Sequence, residues 1–306
     1  MDYSLLKKLQ TIHAPSGDES ALKNFLINYI KENESNWKVK PELFYGDNLQ
    51  DCLILKFGKP RTAIFAHMDS IGFTVRYNKE LVKLGGPKLI SGIKLVGKDS
   101  IGDIETELVV DEKNKDISYK LDRIIDRGTN LTFKSNWRED DNFIQNCYMD
   151  NRLGVWNALK VSESLENGLV IFSCWEETGG GSVGYLAKYI FEKWGVRQAL
   201  ISDITWVTKG ITHGNGVAIS MRDSGIPRRS YVNKVIDIAI SNNIKFQLEV
   251  EDTGGSDGNG LQKSDQPFDW CFIGPPEDFV HTPNEKVHKN DIMEMIKLYN
   301  VLMKKL

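Results

Sequence analysis

Short apolar runs and longer amphipathic stretches take turns along most of this chain. Thr62-Ala63-Ile64-Phe65-Ala66, Leu169 to Trp175, Ala199 to Ser202 and Trp270 to Ile273 are brief, apolar and rich in β-formers, the texture of buried strands. Behind the start signals Ser16, Gly17 and Asp18, apolar residues recur at helical spacing at Leu22, Phe25, Leu26, Tyr29 and Ile30. Further helical patterns run over Gly154 to Glu166, Val183 to Trp194, Tyr231 to Asn242 and Asp291 to Lys304, and strand-like segments cover 42–57 and 61–67. Runs that are apolar at nearly every position suit strands covered on both faces. The expected fold is therefore α/β, a mostly parallel or mixed sheet flanked by helices.

From about 71 to 145 the texture changes. Gly85-Gly86-Pro87, Ser91-Gly92, Val96-Gly97 and Arg127-Gly128 punctuate short runs such as Thr106 to Val110 and Asn130 to Phe133, which predicts a small β-rich insert. The expected organisation is a catalytic domain in two segments, 1–70 and 146–306, split by an inserted domain at 71–145.

Composition narrows the function classes. The chain has 306 residues, 41% of them hydrophobic, and a net charge of −3, enough for a sizeable core and without the basic stripe of a nucleic-acid surface. Its start lacks the pattern of a secretory signal, and no apolar run reaches membrane-spanning length. A soluble, cytoplasmic protein with no nucleic-acid or membrane partner is the expectation. Cys52, Cys147, Cys174 and Cys271 show no close pairing, and three of them sit inside apolar runs, so they read as small core residues.

The polar residues that follow the apolar runs carry the candidate chemistry. His67 and Asp203 directly follow strand-like runs, Glu176-Glu177 follow another, Asp150 stands at a helix start, and His281 lies in the loop beyond Trp270 to Ile273. In open sheets of this kind ligands gather at the carboxyl ends of the strands. Each residue has a plainer reading: a surface pair for His67 and Asp69, a cap for Asp150, turn residues for Asp203 and His281. Together, one shared aspartate, two histidines and two further carboxylates meet the needs of two divalent cations about 3.5–4 Å apart. A ligating histidine commonly gives its other ring N–H to a carboxylate, a role open to Asp69. Nitrogen with carboxylate oxygen suits zinc, and also cobalt or manganese.

The flanking residues sharpen this. Ala66-His67-Met68-Asp69-Ser70-Ile71-Gly72-Phe73, Asp150-Asn151-Arg152-Leu153-Gly154, Glu176-Glu177-Thr178-Gly179, Asp203-Ile204-Thr205 and His281-Thr282-Pro283-Asn284-Glu285 give the chain, over nearly its whole length, a sequence that resembles the glutamyl and deblocking aminopeptidase family of dinuclear metallopeptidases, which includes the tetrahedral aminopeptidases. The resemblance implies a metal-dependent aminopeptidase with His67, Asp150, Glu177, Asp203 and His281 as metal ligands, Asp150 bridging, and Glu176 as general base with Asp69 in support. It implies two divalent cations, peptide substrates and a homo-oligomer built through the insert. Gly254-Gly255-Ser256-Asp257 matches a further loop of the family and makes Asp257 a substrate-binding candidate, with a turn residue as the plain alternative. Asn151 departs from the family's second aspartate, Trp175 reads as a buried strand residue, and the insert is short, leaving room for an assembly smaller than the tetrahedral one. A metal-dependent deacylase or carboxypeptidase of small N-acyl substrates, or a non-catalytic binding protein, remain the alternatives. His13, His213 and His288 have no motif partner and read as packing or surface residues. Which of Arg222, Arg228, Arg229 or Lys263 faces the site is open from sequence.

Overall fold

A computed structural model describes all 306 residues. Its centre is an eight-stranded sheet in the order Glu42–Gly46, Gln50–Phe57, Gly168–Ser173, Ala63–His67, Gln198–Ser202, Asp269–Gly274, Val217–Arg222 and Phe246–Val250. The four central strands run parallel, and antiparallel pairings appear only towards the edges. The expected strand segment at 42–57 is a hairpin, two strands joined at Asp47–Leu49. Strands 63–67 and 168–173 are buried at every position, which is why they show no polar alternation. The helices Met149–Ser162, Val183–Trp194, Arg229–Ser241 and Lys289–Lys305 cover the sheet, and 62 buried hydrophobic residues form one continuous core. Each fully buried large aliphatic side chain contributes roughly 1.5–3 kcal/mol.

A second sheet of six antiparallel strands draws entirely on residues 72–133, in the order Leu81–Leu84, Gly72–Val75, Asn130–Phe133, Lys94–Lys98, Asp103–Val110 and Ile117–Tyr119. A second cluster of 15 buried hydrophobic residues packs it, with Ile71, Cys147 and Tyr148 contributed from the flanking chain. Strands Arg138–Glu139 and Phe143–Asn146 turn away from it as a hairpin, and Phe143–Asn146 pairs on its other side with Glu285–His288. A five-stranded sheet thereby ties the chain after the module to the loop that carries His281.

One close approach positions the site. A Cβ on Gly154 would lie 2.0 Å from the carbonyl oxygen of Ser202, so glycine alone lets the helix of Asp150 press against the strand that ends at Ser202, just before Asp203. The Asn151 side-chain amide donates to the Ser202 carbonyl at 2.9 Å, and its oxygen accepts the Gly154 N–H at 2.9 Å. The Asn157 amide holds the Ser202 hydroxyl at 2.9 Å. Asp150 and Asn151 have non-helical backbone angles, so regular helix begins only after them.

All four cysteines are buried and unbridged. Trp175 corrects an expectation: the strand stops at Ser173, and Trp175 lies beyond it, half-buried, with φ 62°. The apolar run outlasts the strand because the chain must turn sharply there to present Glu176 and Glu177.

Candidate metal centre and active site

His67 closes the strand Ala63–His67, Asp203 follows Gln198–Ser202, and Glu176 and Glu177 form a short 3-10 turn after Gly168–Ser173. These strands are parallel neighbours, so their carboxyl ends deliver the three groups to one place. There, His67, Asp150 and Asp203 form one cluster of donor atoms and Asp150, Glu177 and His281 a second. His67 Nε2 lies 3.1 Å from Asp150 Oδ1 and 3.5 Å from Asp203 Oδ2. His281 Nε2 lies 3.3 Å from Asp150 Oδ2 and 3.3 Å from Glu177 Oε2. The two oxygens of Asp150 therefore face different clusters.

The electrostatics are those of a donor set built around positive charge. Burial opposes protonation of His67, yet Asp203, Asp150 and Asp69 outweigh it and push the imidazole well up. His281 rises to about 11 because Asp150 and Glu177 overcome its burial. Burial and the charge of Asp150 push Glu177 up to about 7, and burial followed by the neighbouring carboxylates raises Asp203. Glu177 Oε1 is buried and has no hydrogen-bond partner. Carboxylates crowded in this way are neutralised by protons or by cations, and nitrogen–oxygen donors in two groups with one shared carboxylate fit a pair of divalent ions.

Asp69 organises the cluster from behind. Its carboxylate stands 3.3 Å from His67 Nδ1 and accepts the N–H groups of Glu176 and Glu177 at 3.1 Å each, and the Ser16 hydroxyl at 2.5 Å. One buried side chain thus orients a ligand candidate and the turn carrying the Glu pair. Glu285, whose role the sequence did not disclose, does the same on the other side. It accepts from the N–H groups of Met149 at 2.6 Å, Asp150 at 3.3 Å and His281 at 3.0 Å. The six-stranded module also reaches the site: the Gly86 carbonyl sits 3.1 Å from His281 Nδ1, and the Lys88 N–H donates to the His281 carbonyl at 3.0 Å. An acceptor at Nδ1 leaves Nε2 free to face the cluster.

Glu176 stands between two cavities. One, about 210 Å³, includes Asp150, Glu177, Asp203 and His281 in its wall; the other, about 400 Å³, is walled by the glycines 179–181 and by Asp257. Burial, Glu177 and Asp203 push the Glu176 carboxyl well up against the pull of His67. Asp257 begins the helix Asp257–Lys263, is buried, and accepts the Ser173 hydroxyl. None of Arg222, Arg228 or Arg229 lines either cavity, and Lys263 lines only the larger. His13 contacts Thr132, His213 pairs with Asp278, and His288 caps the last helix, all away from the clusters.

The whole arrangement has known counterparts. An aminopeptidase of the archaeon Desulfurococcus kamchatkensis superposes with a TM-score of 0.85 at 21% identity, over 99% of this chain and 94% of that one. The TET1 peptidase of Pyrococcus horikoshii, described as assembling into a tetrahedron or a large octahedral shell, gives 0.81 at 22% identity over 98% of each chain. A provisionally assigned aminopeptidase of Acetivibrio thermocellus is 26% identical, over 97% of this chain and 96% of its own length. The fold is that of the aminopeptidases. The chain belongs to the M42 glutamyl aminopeptidase family, whose profile matches residues 98–298, a family of metal-dependent hydrolases.

Proposed function

We propose that the chain removes N-terminal residues from peptides at a two-cation centre, with Glu176 as general base. The observation that carries this is the orientation of Asp150, whose two oxygens face His67 and His281 separately. His67 and Asp203 would hold one cation, Glu177 and His281 the other, and Asp150 both. Two divalent ions, zinc or alternatively cobalt or manganese, supply a water of lowered pKa and polarise the scissile carbonyl. Glu176, at the junction of the cavities, takes the water's proton and passes it to the leaving amine. Asp69 fixes the turn on which Glu176 sits, and Asp257 shapes the larger cavity beside it.

Glu176→Gln is expected to retain both cations and lose on the order of 10²- to 10⁴-fold in kcat, read by metal content and by release of N-terminal residues from short peptides. Loss of a cation in that variant would make Glu176 a ligand instead. Cleavage of acetylated peptides in preference to free-amine ones would replace the aminopeptidase with a deacylase.

The six-stranded module, our reading of the insert, would form the contact between copies. Val82, Ile90, Ile101, Val109 and Ile124 are exposed on it and are the apolar side chains such a contact would cover. The mass in solution, by light scattering, tests this. No helix of the chain is long and apolar enough to cross a membrane.

A further inference from the structure

The smaller cavity carries more negative charge than the proposed chemistry uses. Two divalent cations would neutralise Asp150, Glu176, Glu177 and Asp203. Asp223, Glu249 and Glu251 also line the cavity, and no lysine or arginine does. These three come from the ends of two adjacent parallel strands, Val217–Arg222 and Phe246–Val250. Arg222, the charged neighbour of Asp223, directs its Nε to the Asp223 carbonyl at 3.2 Å and stays out of the wall.

Strand Phe246–Val250 departs from ordinary patterning to make this wall. Alternation would bury Leu248 and Val250 and expose the glutamate between them. Instead Leu248 and Val250 are 45% and 64% exposed, while Glu249 is 2% exposed and takes the Thr205 hydroxyl as a donor. A buried carboxylate with one neutral donor and no cation is costly, and such local violations concentrate at functional positions. Ile204, Trp206 and Phe272 complete the cavity, offering apolar surface to a hydrocarbon stem.

Building on the aminopeptidase reading, we infer that this cavity selects peptides whose N-terminal residue bears a cationic side chain, lysine or arginine. Asp223 Oδ1 accepts the Gly225 N–H at 2.5 Å and Glu249 Oε1 the Thr205 hydroxyl, which leaves Glu251 and the second oxygens of the other two for the substrate's α-ammonium and a second positive charge. The stem lies along Ile204, Trp206 and Phe272, as lysine and arginine stems do on apolar surface. A glutamyl residue, after which the family is described, would meet like charge here, a juxtaposition that suppresses binding. The rest of the peptide leaves past Glu176 and Gly255, which both cavities share.

The test compares amide substrates of L-lysine, L-norleucine and L-glutamate with the metal-loaded enzyme, norleucine having the stem of lysine without its charge. Lysine is expected to exceed norleucine in kcat/KM by roughly 10- to 100-fold, the range of one charge-assisted contact, with glutamate last. Glu251→Gln and Glu249→Gln should each move the lysine-to-norleucine ratio towards one. Calorimetric titration of lysinamide and norleucinamide into metal-loaded Glu176→Gln reads the same preference without turnover. Norleucine equal to lysine in rate and binding, or glutamate equal to it in rate, overturns the selectivity and leaves the aminopeptidase standing. Hydrolysis of none of the three overturns the aminopeptidase reading, and the calorimetry then decides selectivity alone.

Discussion

Replacing Asp69 with asparagine tests how the site is held together. Both carboxylate oxygens are in use: one faces His67 Nδ1 and the Glu176 N–H, the other the Ser16 hydroxyl and the Glu177 N–H. Burial favours the neutral form of Asp69, but His67, Ser16 and the Glu177 N–H outweigh it and hold the carboxyl below its ordinary range. Asparagine keeps one acceptor oxygen and puts an NH₂ group in place of the other. Whichever way it turns, one buried backbone N–H of the Glu pair faces a donor, at a cost of about 1–3 kcal/mol. The Asp69 carbonyl also lies 3.2 Å from His67 Nδ1 and survives the substitution, so orientation of the imidazole is weakened rather than abolished. Part of the cost appears as stability and part as cation affinity. Affinity should fall about 10- to 100-fold, the usual effect of losing a group that orients a ligand, equivalent to about 1.4–2.8 kcal/mol. Competition with a chromophoric chelator measures it, and peptide hydrolysis at limiting and saturating cation gives a second reading. Activity should recover in large part at saturation. Unchanged affinity with unchanged activity at limiting cation would refute the assignment of Asp69 as the group that orients His67 and the Glu pair.

Glu285→Gln should weaken cation binding on the His281 side by a similar 10- to 100-fold, because an amide cannot accept at both oxygens from Met149, Asp150 and His281; chelator competition that resolves the two sites checks this. Glu19 offers a pH test. Burial pushes its carboxyl up to about 7, only partly opposed by the N–H groups of Gly17 and Trp175, whereas in the unfolded chain it titrates near about 4.3. Between those values the folded state binds the extra proton, so this group's contribution to stability falls as pH rises through that window and remains a penalty above it. Glu19→Gln should therefore gain stability progressively from pH 5 to pH 8, reaching roughly 1–3 kcal/mol, as read by urea unfolding; a difference independent of pH would contradict it.

Much of this was legible because burial on two faces writes itself into composition. Strands such as Ala63–His67 have no solvent side, so they stand out as unbroken apolar runs, and the polar residue that ends each run marks the carboxyl edge where the site assembles. Residues that act through the fold were harder to read. Glu285 follows Pro283 and Asn284 in what looks like a solvated turn, and only the pairing of Glu285–His288 with Phe143–Asn146 carries it under the Asp150 helix. Glu249 was hidden by its own neighbours, since Leu248 and Val250 suggest the opposite orientation. Trp175 misled in the same way: hydrophobicity marks burial, not the residue at which a strand must turn. The second strand partner of Phe143–Asn146, Glu285–His288, lies far along the chain, beyond the reach of local pattern.

The Gly86 carbonyl changes what can be done with this chain as a scaffold. A β module interrupting a catalytic domain invites treatment as a removable cassette, to be trimmed for a minimal enzyme or exchanged between relatives. Here the cassette supplies the acceptor that holds His281 Nδ1, so its excision would leave the imidazole free to turn and to settle in either tautomer. A transplant would succeed only if the incoming module brought a carbonyl to the same spot. The boundary that counts for portability runs through a hydrogen bond to a histidine ring, and not along the linkers where the chain enters and leaves the sheet.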